Sequence, residues 1–253
     1  MFDVTGKVAL VSGSTRGLGF ALAACLLEAG AALIVNGRSL DAAEKAADAL
    51  RSGSPAAQVY VSAFDVTDER AVRAGVAAAE EKAGPIGILV NNAGVQYRAP
   101  LLEFPVAAWQ DVLATNLTGP FLLGRAVAAR MSGRGAGKII NVCSVNSEFA
   151  RPGISAYIAA KGGLKMLTRS MCAELGPSGI QVNGLAPGYF ETDMTEPLVR
   201  DAQFSAWIRS RTPAGRWGVP AELAGAVIFL ASAASDYVSG QVLYVDGGMS
   251  AVL

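Results

Sequence analysis

The sequence predicts one doubly wound α/β domain: a parallel sheet of about seven strands with helices on both faces. Three observations carry that prediction. Short apolar runs alternate with longer helical patterns from residue 8 to residue 245. Most of the runs are apolar throughout rather than alternating, as in parallel strands buried on both faces. A glycine cluster, Gly13-Ser14-Thr15-Arg16-Gly17-Leu18-Gly19, falls at the first strand-to-helix junction, the place where such sheets turn back on themselves around a ligand.

In chain order the predicted strands are Val8–Ser12, Ala32–Val35, Gln58–Ala63, Ile86–Val90, Lys138–Val142, Ile180–Leu185 and Val242–Val245. The helices between them are Leu18–Ala29, Leu40–Arg51, Glu69–Ala83, Ala107–Met131, Ala156–Leu175 and Ala221–Ala231. Stop signals close two of them, Ala29-Gly30 and Leu175-Gly176-Pro177. Strands joined through helices imply right-handed crossovers and a parallel sheet. No linker, repeat or low-complexity tract interrupts the chain, so residues 1–253 read as a single domain. The irregular stretch from about 188 to 219 contains Gly188, Pro197, Pro213 and Gly215. It follows a strand's carboxyl end, where ligands bind, and its length fits a partly helical substrate loop or a plain structural excursion.

Composition narrows the class. The chain has 21 basic and 21 acidic residues, and no dense basic run. Nothing here suggests a nucleic-acid or membrane partner. A hydrophobic content of 52% suits a large core and buried subunit interfaces. The first strand starts too early to leave room for a signal peptide, and no apolar run approaches a membrane span. Cys25, Cys143 and Cys172 are widely spaced among apolar neighbours, which predicts buried thiols and a cytoplasmic protein. There is no convincing metal-ligand cluster, and without histidine any ion would be held by oxygens.

The absence of histidine means that some other group must move protons at neutral pH. Tyr157 and Lys161 stand at i and i+4 of a predicted helix and share one face. A free phenol, with a pKa of about 10, is a poor base at pH 7. A neighbouring ammonium favours the phenolate, and Ser144 could hydrogen-bond the same substrate oxygen. Alone the pair is weak evidence, because Tyr-x-x-x-Lys is common on ordinary helices.

The glycine cluster supplies a cofactor site. Glycines let the backbone turn sharply and approach a pyrophosphate, which the helix N-terminus then holds. Gly13, Ser14, Thr15, Arg16, Gly17, Leu18 and Gly19 are its candidates, spaced G-x-x-x-G-x-G rather than G-x-G-x-x-G. The second strand ends Asn36-Gly37-Arg38, where an NAD site usually places an acid for the ribose 2′-hydroxyl. Arg38, with Arg16, suits a 2′-phosphate instead. NADP(H) is therefore preferred over NAD(H), and a merely solvated Arg38 is the competing reading. Asp65 and Val66 follow the third strand, where a carboxylate can accept from an adenine amino group. Asn92, Ala93 and Gly94 follow the fourth, where small residues let a ring lie against the backbone. Separately, each could be an ordinary turn.

Taken together, the glycine loop at 13–19, Asp65, Asn91-Asn92-Ala93-Gly94, Asn116, Ser144, Tyr157-x-x-x-Lys161 and Pro187-Gly188 resemble the short-chain dehydrogenases/reductases over essentially the whole chain. Ser12 departs from the threonine common in that family but keeps the hydroxyl. The resemblance implies a Rossmann-type fold and a hydride transfer to or from a nicotinamide cofactor. Tyr157 would be the general acid–base and Ser144 would orient the reacting oxygen. Lys161 would bind the nicotinamide ribose and lower the Tyr157 pKa. Asn116 would hold a water linking Lys161 to solvent. Tyr157, Lys161, Pro187 and Gly188 would also bind the cofactor. Family members are usually tetramers, which implies a homotetramer with Ala107–Met131 and Ala156–Leu175 packed across one two-fold. The C-terminal strand would pack across another, and the apolar tail 249–253 fits burial there.

Within the family, Gly94–Arg98, Cys143–Glu148, Ala186–Phe190 and Arg211–Gly218 resemble the gluconate 5-dehydrogenase branch, which implies a sugar-acid substrate. Such a substrate needs a cation for its carboxylate and polar groups for its hydroxyls. Arg98, Ser147, Glu148, Arg151 and Tyr189 are the candidates; Arg98 could equally form a surface salt bridge, and Glu148 could pair with Arg151. A 3-oxoacyl-carrier-protein reductase, or another polyol or keto-sugar reductase, would share every motif except those at the substrate mouth. The former needs surface cations near the mouth, for which Arg125, Arg130 and Arg134 are available. A non-catalytic cofactor sensor is a more distant reading.

Overall fold

Seven strands form one wholly parallel sheet: β1 (Val8–Val11), β2 (Ala32–Gly37), β3 (Val59–Ala63), β4 (Ile86–Asn91), β5 (Gly137–Val142), β6 (Ile180–Pro187) and β7 (Val242–Val245). Their spatial order is β3-β2-β1-β4-β5-β6-β7. This computed structural model describes residues 1–53 and 57–252; Leu253 of the predicted apolar tail lies outside them. The helices are α1 (Gly17–Glu28), α2 (Leu40–Gly53), α3 (Glu69–Ala83), α4 (Val106–Leu113), α5 (Gly119–Ser132), α6 (Ser155–Leu175), α7 (Glu196–Arg200), α8 (Ala202–Arg211) and α9 (Ala224–Ala231).

The apolar runs explain the layering. In β1, Ala9 and Val11 pack with Leu22, Leu26 and Val227 of α1 and α9. Val8 and Leu10 pack oppositely, with Val72, Leu123 and Val127 of α3 and α5. A strand buried on both faces has no polar side to present, which is why its sequence does not alternate. The direction of winding reverses between β1 and β4, whose registers pair Val11 with Val90. A crevice therefore opens at their carboxyl ends.

Local signals set the ends. Asp68 caps α3 by accepting from Arg70 N–H and Ala71 N–H at 2.9 and 3.1 Å, and Gly84 stops it with φ of +90°. Three strands run past their apolar predictions, through Asn36, Asn91 and Pro187. Buried asparagines extend them because each amide finds a partner, such as Asn36 Nδ2 to the Ser62 carbonyl at 2.9 Å and Asn91 Nδ2 to Asn141 Oδ1 at 2.8 Å.

The predicted helix Ala107–Met131 is not a regular α-helix. A π-turn at Ala114–Thr118 separates α4 from α5. Pro120 is the cause: it has no N–H to give the Asn116 carbonyl four residues back. The whole segment, Val106–Ser132, is long and apolar enough to cross a membrane by length and composition, and half of its most apolar window is buried inside the protein. Its α5 part packs on the sheet through Leu123, Val127 and Met131, and its α4 part packs on α6 through Val112. The irregular stretch after β6 is partly helical, carrying α7 and α8, and Trp217, Ile208 and Met249 fix it to the body.

Candidate active site

The carboxyl ends of β1, β2, β4, β5 and β6 surround a cleft of about 580 Å³. At its floor the β1–α1 turn is compressed against the end of β4. Gly13 adopts φ of +63°, and a Cβ there would stand 2.8 Å from Ala93 Cα. A Cβ on Gly19 would lie 2.3 Å from the Gly13 carbonyl oxygen and from Asn92 Nδ2. Only glycine permits this approach. The turn is held by Asn92, whose Nδ2 donates to the Ser12 and Gly13 carbonyls at 3.0 and 3.1 Å. Ser12 Oγ accepts from Asn92 and Ala93 N–H at 3.0 and 3.1 Å. The Arg16 side chain at the start of α1 makes no capping bond, so the first-turn N–H groups are left for a ligand. This cradle fits a dinucleotide's pyrophosphate.

The predicted cofactor residues converge on this cleft. Gly13, Thr15, Arg16, Gly17, Leu18, Gly19, Arg38, Asp65, Val66, Asn92, Ala93, Gly94, Pro187 and Gly188 line it with Ser144, Tyr157 and Lys161. Arg16 and Arg38 are exposed, and neither enters an ion pair among the described residues. Ser14 is not part of the wall: its Oγ donates inward to the Val11 carbonyl at 2.7 Å and accepts Asn36 N–H at 3.0 Å.

Ser144 follows the end of β5 and caps a short 3₁₀ turn, accepting from Asn146 N–H at 3.1 Å. Ser147 completes the box by accepting Ser144 N–H at 3.3 Å. Tyr157 and Lys161 come from α6. Burial pushes the Tyr157 phenol up to about 12, against the Ser144 hydroxyl, which pulls it down. Burial also pushes Lys161 down to about 8. Its Nζ donates to the Val142 carbonyl at 2.6 Å. The lowering of the Tyr157 pKa expected from Lys161 is not seen in this geometry, where burial dominates and the lowering influences come from Ser144 and Arg151.

Asn116 lies behind the wall. Its Oδ1 accepts Val95 N–H and its Nδ2 donates to the Val95 carbonyl, both at 2.8 Å. Each polar atom of the side chain thus has a partner in Val95, and the Asn116 main-chain carbonyl is denied its donor four residues on, because Pro120 has no N–H.

At the mouth the candidates separate. Arg98 lines the cleft beside Gln96; partial burial and then the Arg151 charge lower its pKa. Ala99 N–H bonds the Gly153 carbonyl at 3.1 Å, tying the Arg98 loop to the Arg151 loop. Arg151 and Tyr189 stand outside the wall, though both act electrostatically on Tyr157. Glu148 does not pair with Arg151. It is engaged by Lys165 and by the Tyr244 hydroxyl, the latter at 2.9 Å. Ser147 and Glu148 are thus spent on internal bonds. The sequence reading missed Thr192 and Thr195, which also line the cleft; their T-x-x-T spacing within the loop after β6 was the available signal. Cys25 and Cys143 are buried free thiols, while Cys172 is only partly buried.

A family model described as enoyl-(acyl carrier protein) reductase matches residues 13–250. The chain is 51% identical over 253 residues to a gluconate 5-dehydrogenase of Gluconobacter oxydans (strain 621H), covering 100% of this chain and 98% of the relative. It is 49% identical over 249 residues to a 5-keto-D-gluconate 5-reductase of Escherichia coli (strain K12), covering 98% and 97%. Among solved structures it resembles a gluconate 5-dehydrogenase of Burkholderia cenocepacia J2315 in complex with NADP and tartrate. That match has a TM-score of 0.97 and 51% identity, and covers 100% of this chain and 98% of that one. Likeness at this level runs the full length of the cleft-forming framework, and the chain belongs to the short-chain dehydrogenase/reductase family of oxidoreductases.

Proposed function

We propose that the protein interconverts D-gluconate and 5-keto-D-gluconate with NADP(H), as one domain whose 188–219 region borders the substrate. The observation that carries the reading is the joint placement of Ser144, Tyr157 and Lys161 along one cleft with Arg98, which enters no ion pair among the described residues. When bound, the nicotinamide cofactor supplies or takes the hydride. Ser144 holds the reacting oxygen by hydrogen bond, and the Tyr157 phenol gives it a proton in the reductive direction. Lys161 leaves Val142 to hold the nicotinamide ribose, and the Asn116 carbonyl holds the water that refills the proton. Arg38 and Arg16 take the 2′-phosphate, which favours NADP(H) over NAD(H). Arg98 meets the sugar acid's carboxylate. Relatives named for gluconate and 5-ketogluconate, one of them complexed with NADP and tartrate, support this assignment.

The carrier-protein alternative is less well supported. Arg125 pairs with Glu69, and Arg130 and Arg134 with Glu80. Two carboxylates offset two of these three charges, so the cluster offers only one net positive charge to an acidic protein. Exposed Val106, Phe121 and Met166 on α4, α5 and α6, with Leu243 on β7, support a homotetramer, and the free thiols support a cytoplasmic setting. The test is NADPH oxidation with 5-ketogluconate and, in parallel, with an acetoacetyl thioester. Turnover of the keto acid supports the assignment; turnover of the thioester alone overturns it.

A further inference from the structure

Arg151 has the Tyr189 phenol as a hydrogen-bond partner, a neutral group that leaves its charge unbalanced. Its guanidinium lies over the Phe204 ring, 5.4 Å from the centroid. Its Nε is buried and has no hydrogen-bond partner. No carboxylate among the described residues pairs with it. Arg98 is near enough for the two positive charges to oppose one another, and the Ala99–Gly153 bond holds their loops together. A buried unpaired donor beside a like charge is unfavourable unless a ligand completes it. Stacking occupies the face of a guanidinium and leaves its N–H edge free for a two-pronged contact with a carboxylate.

The ring beneath it is fixed. Phe204 sits in the first turn of α8, where Asp201 accepts its N–H at 3.0 Å. It contacts Tyr189 edge-on at 5.8 Å and Trp217 at 6.4 Å. The Trp217 indole N–H is anchored on Ser205 Oγ at 2.9 Å. Phe204 therefore holds Arg151 in one place from the far side of the mouth.

We propose that Arg151, braced on Phe204, selects acids at this mouth: its guanidinium, through the unpartnered Nε, takes the substrate carboxylate together with Arg98. The inference rests on the sugar-acid reading above and assigns Arg151 as a specificity-determining residue, with Phe204 as its positioning residue. The experiment uses NADPH-loaded protein and reads kcat/KM for 5-keto-D-gluconate against an uncharged ketohexose. Arg151→Met should lower that ratio about 10- to 100-fold, the range for loss of a charged hydrogen bond. Phe204→Leu should lower it about threefold by loosening the brace. Arg151→Lys, which keeps the charge without the fork, should recover part of the ratio. Tartrate binding to NADP⁺-loaded protein, read by calorimetry, needs no turnover and should weaken in Arg151→Met. A ratio unchanged in Arg151→Met overturns the proposal. If the unaltered protein reduces no sugar acid, the substrate reading falls separately, and an unchanged tartrate affinity in Arg151→Met then overturns the anion site as well.

Discussion

The Lys161 ammonium stands 5.6 Å from the centroid of the Tyr157 ring, one helical turn along α6, and is 4% exposed. Both groups are held in their disfavoured environments: burial keeps the proton on the phenol and loosens the proton on the amine. Two buried groups shifted in opposite senses lower stability, an arrangement that fits the proton transfer proposed above.

Tyr157→Phe removes the hydroxyl and keeps the ring. Turnover should fall by about 10³-fold or more, as expected for loss of a positioned acid, while NADPH affinity measured by fluorescence titration stays close to that of the unaltered protein. A variant that still turns over rapidly would remove Tyr157 from the mechanism.

The raised phenol sets a sign for pH dependence. Below about 12 the proton remains on Tyr157, so ketone reduction has its acid available throughout the neutral range. Alcohol oxidation needs the phenolate, whose fraction grows about tenfold per pH unit below that value. Oxidation should therefore keep rising past pH 9 while reduction does not. Paired pH–rate profiles check this, and an oxidation optimum at neutral pH would refute it.

Lys161 predicts a trade between activity and stability. Its depressed folded value, about 8 against 10.5, means that the unfolded chain binds the proton more tightly. Stability is penalised in full below about pH 8 and recovers as pH rises toward 10.5, with a penalty on the order of 3 kcal/mol. Lys161→Met should abolish activity yet raise the melting temperature of the cofactor-free protein by a few degrees at pH 7. The gain should shrink in alkali. Lower stability at pH 7 would show that the bond to Val142 outweighs desolvation.

Arg38 is exposed at the cleft edge, without an ion pair among the described residues. Arg38→Ala should weaken NADPH about 10- to 100-fold and leave NADH nearly unaffected. Equal losses for both cofactors, read from KM values, would end the 2′-phosphate assignment.

Much of this was legible in the sequence, and the exceptions have physical causes. Strands such as Leu33–Val35 are apolar on both faces and announce themselves. Asn36 and Asn91 hide the true ends of β2 and β4, because their amides are satisfied by partners distant in sequence. The helical register that puts Tyr157 beside Lys161 is local and was readable; the burial that shifts both is a property of the assembled sheet. The π-turn follows from Pro120, which was visible, but its effect on Asn116 depends on the loop at Val95. Glu148 and Arg151 are neighbours in sequence, yet Lys165 and Tyr244 claim the carboxylate because α6 and β7 reach it first. Thr192 and Thr195 reach the cleft only through the path of the loop after β6.

The measurement that bears most directly on the central claim is NADPH oxidation by the purified protein, with 5-keto-D-gluconate and an acetoacetyl thioester assayed side by side. The geometry of Ser144, Tyr157, Lys161 and Arg98 predicts turnover of the keto acid, abolished by Tyr157→Phe. Turnover of the thioester with none of the keto acid would contradict it.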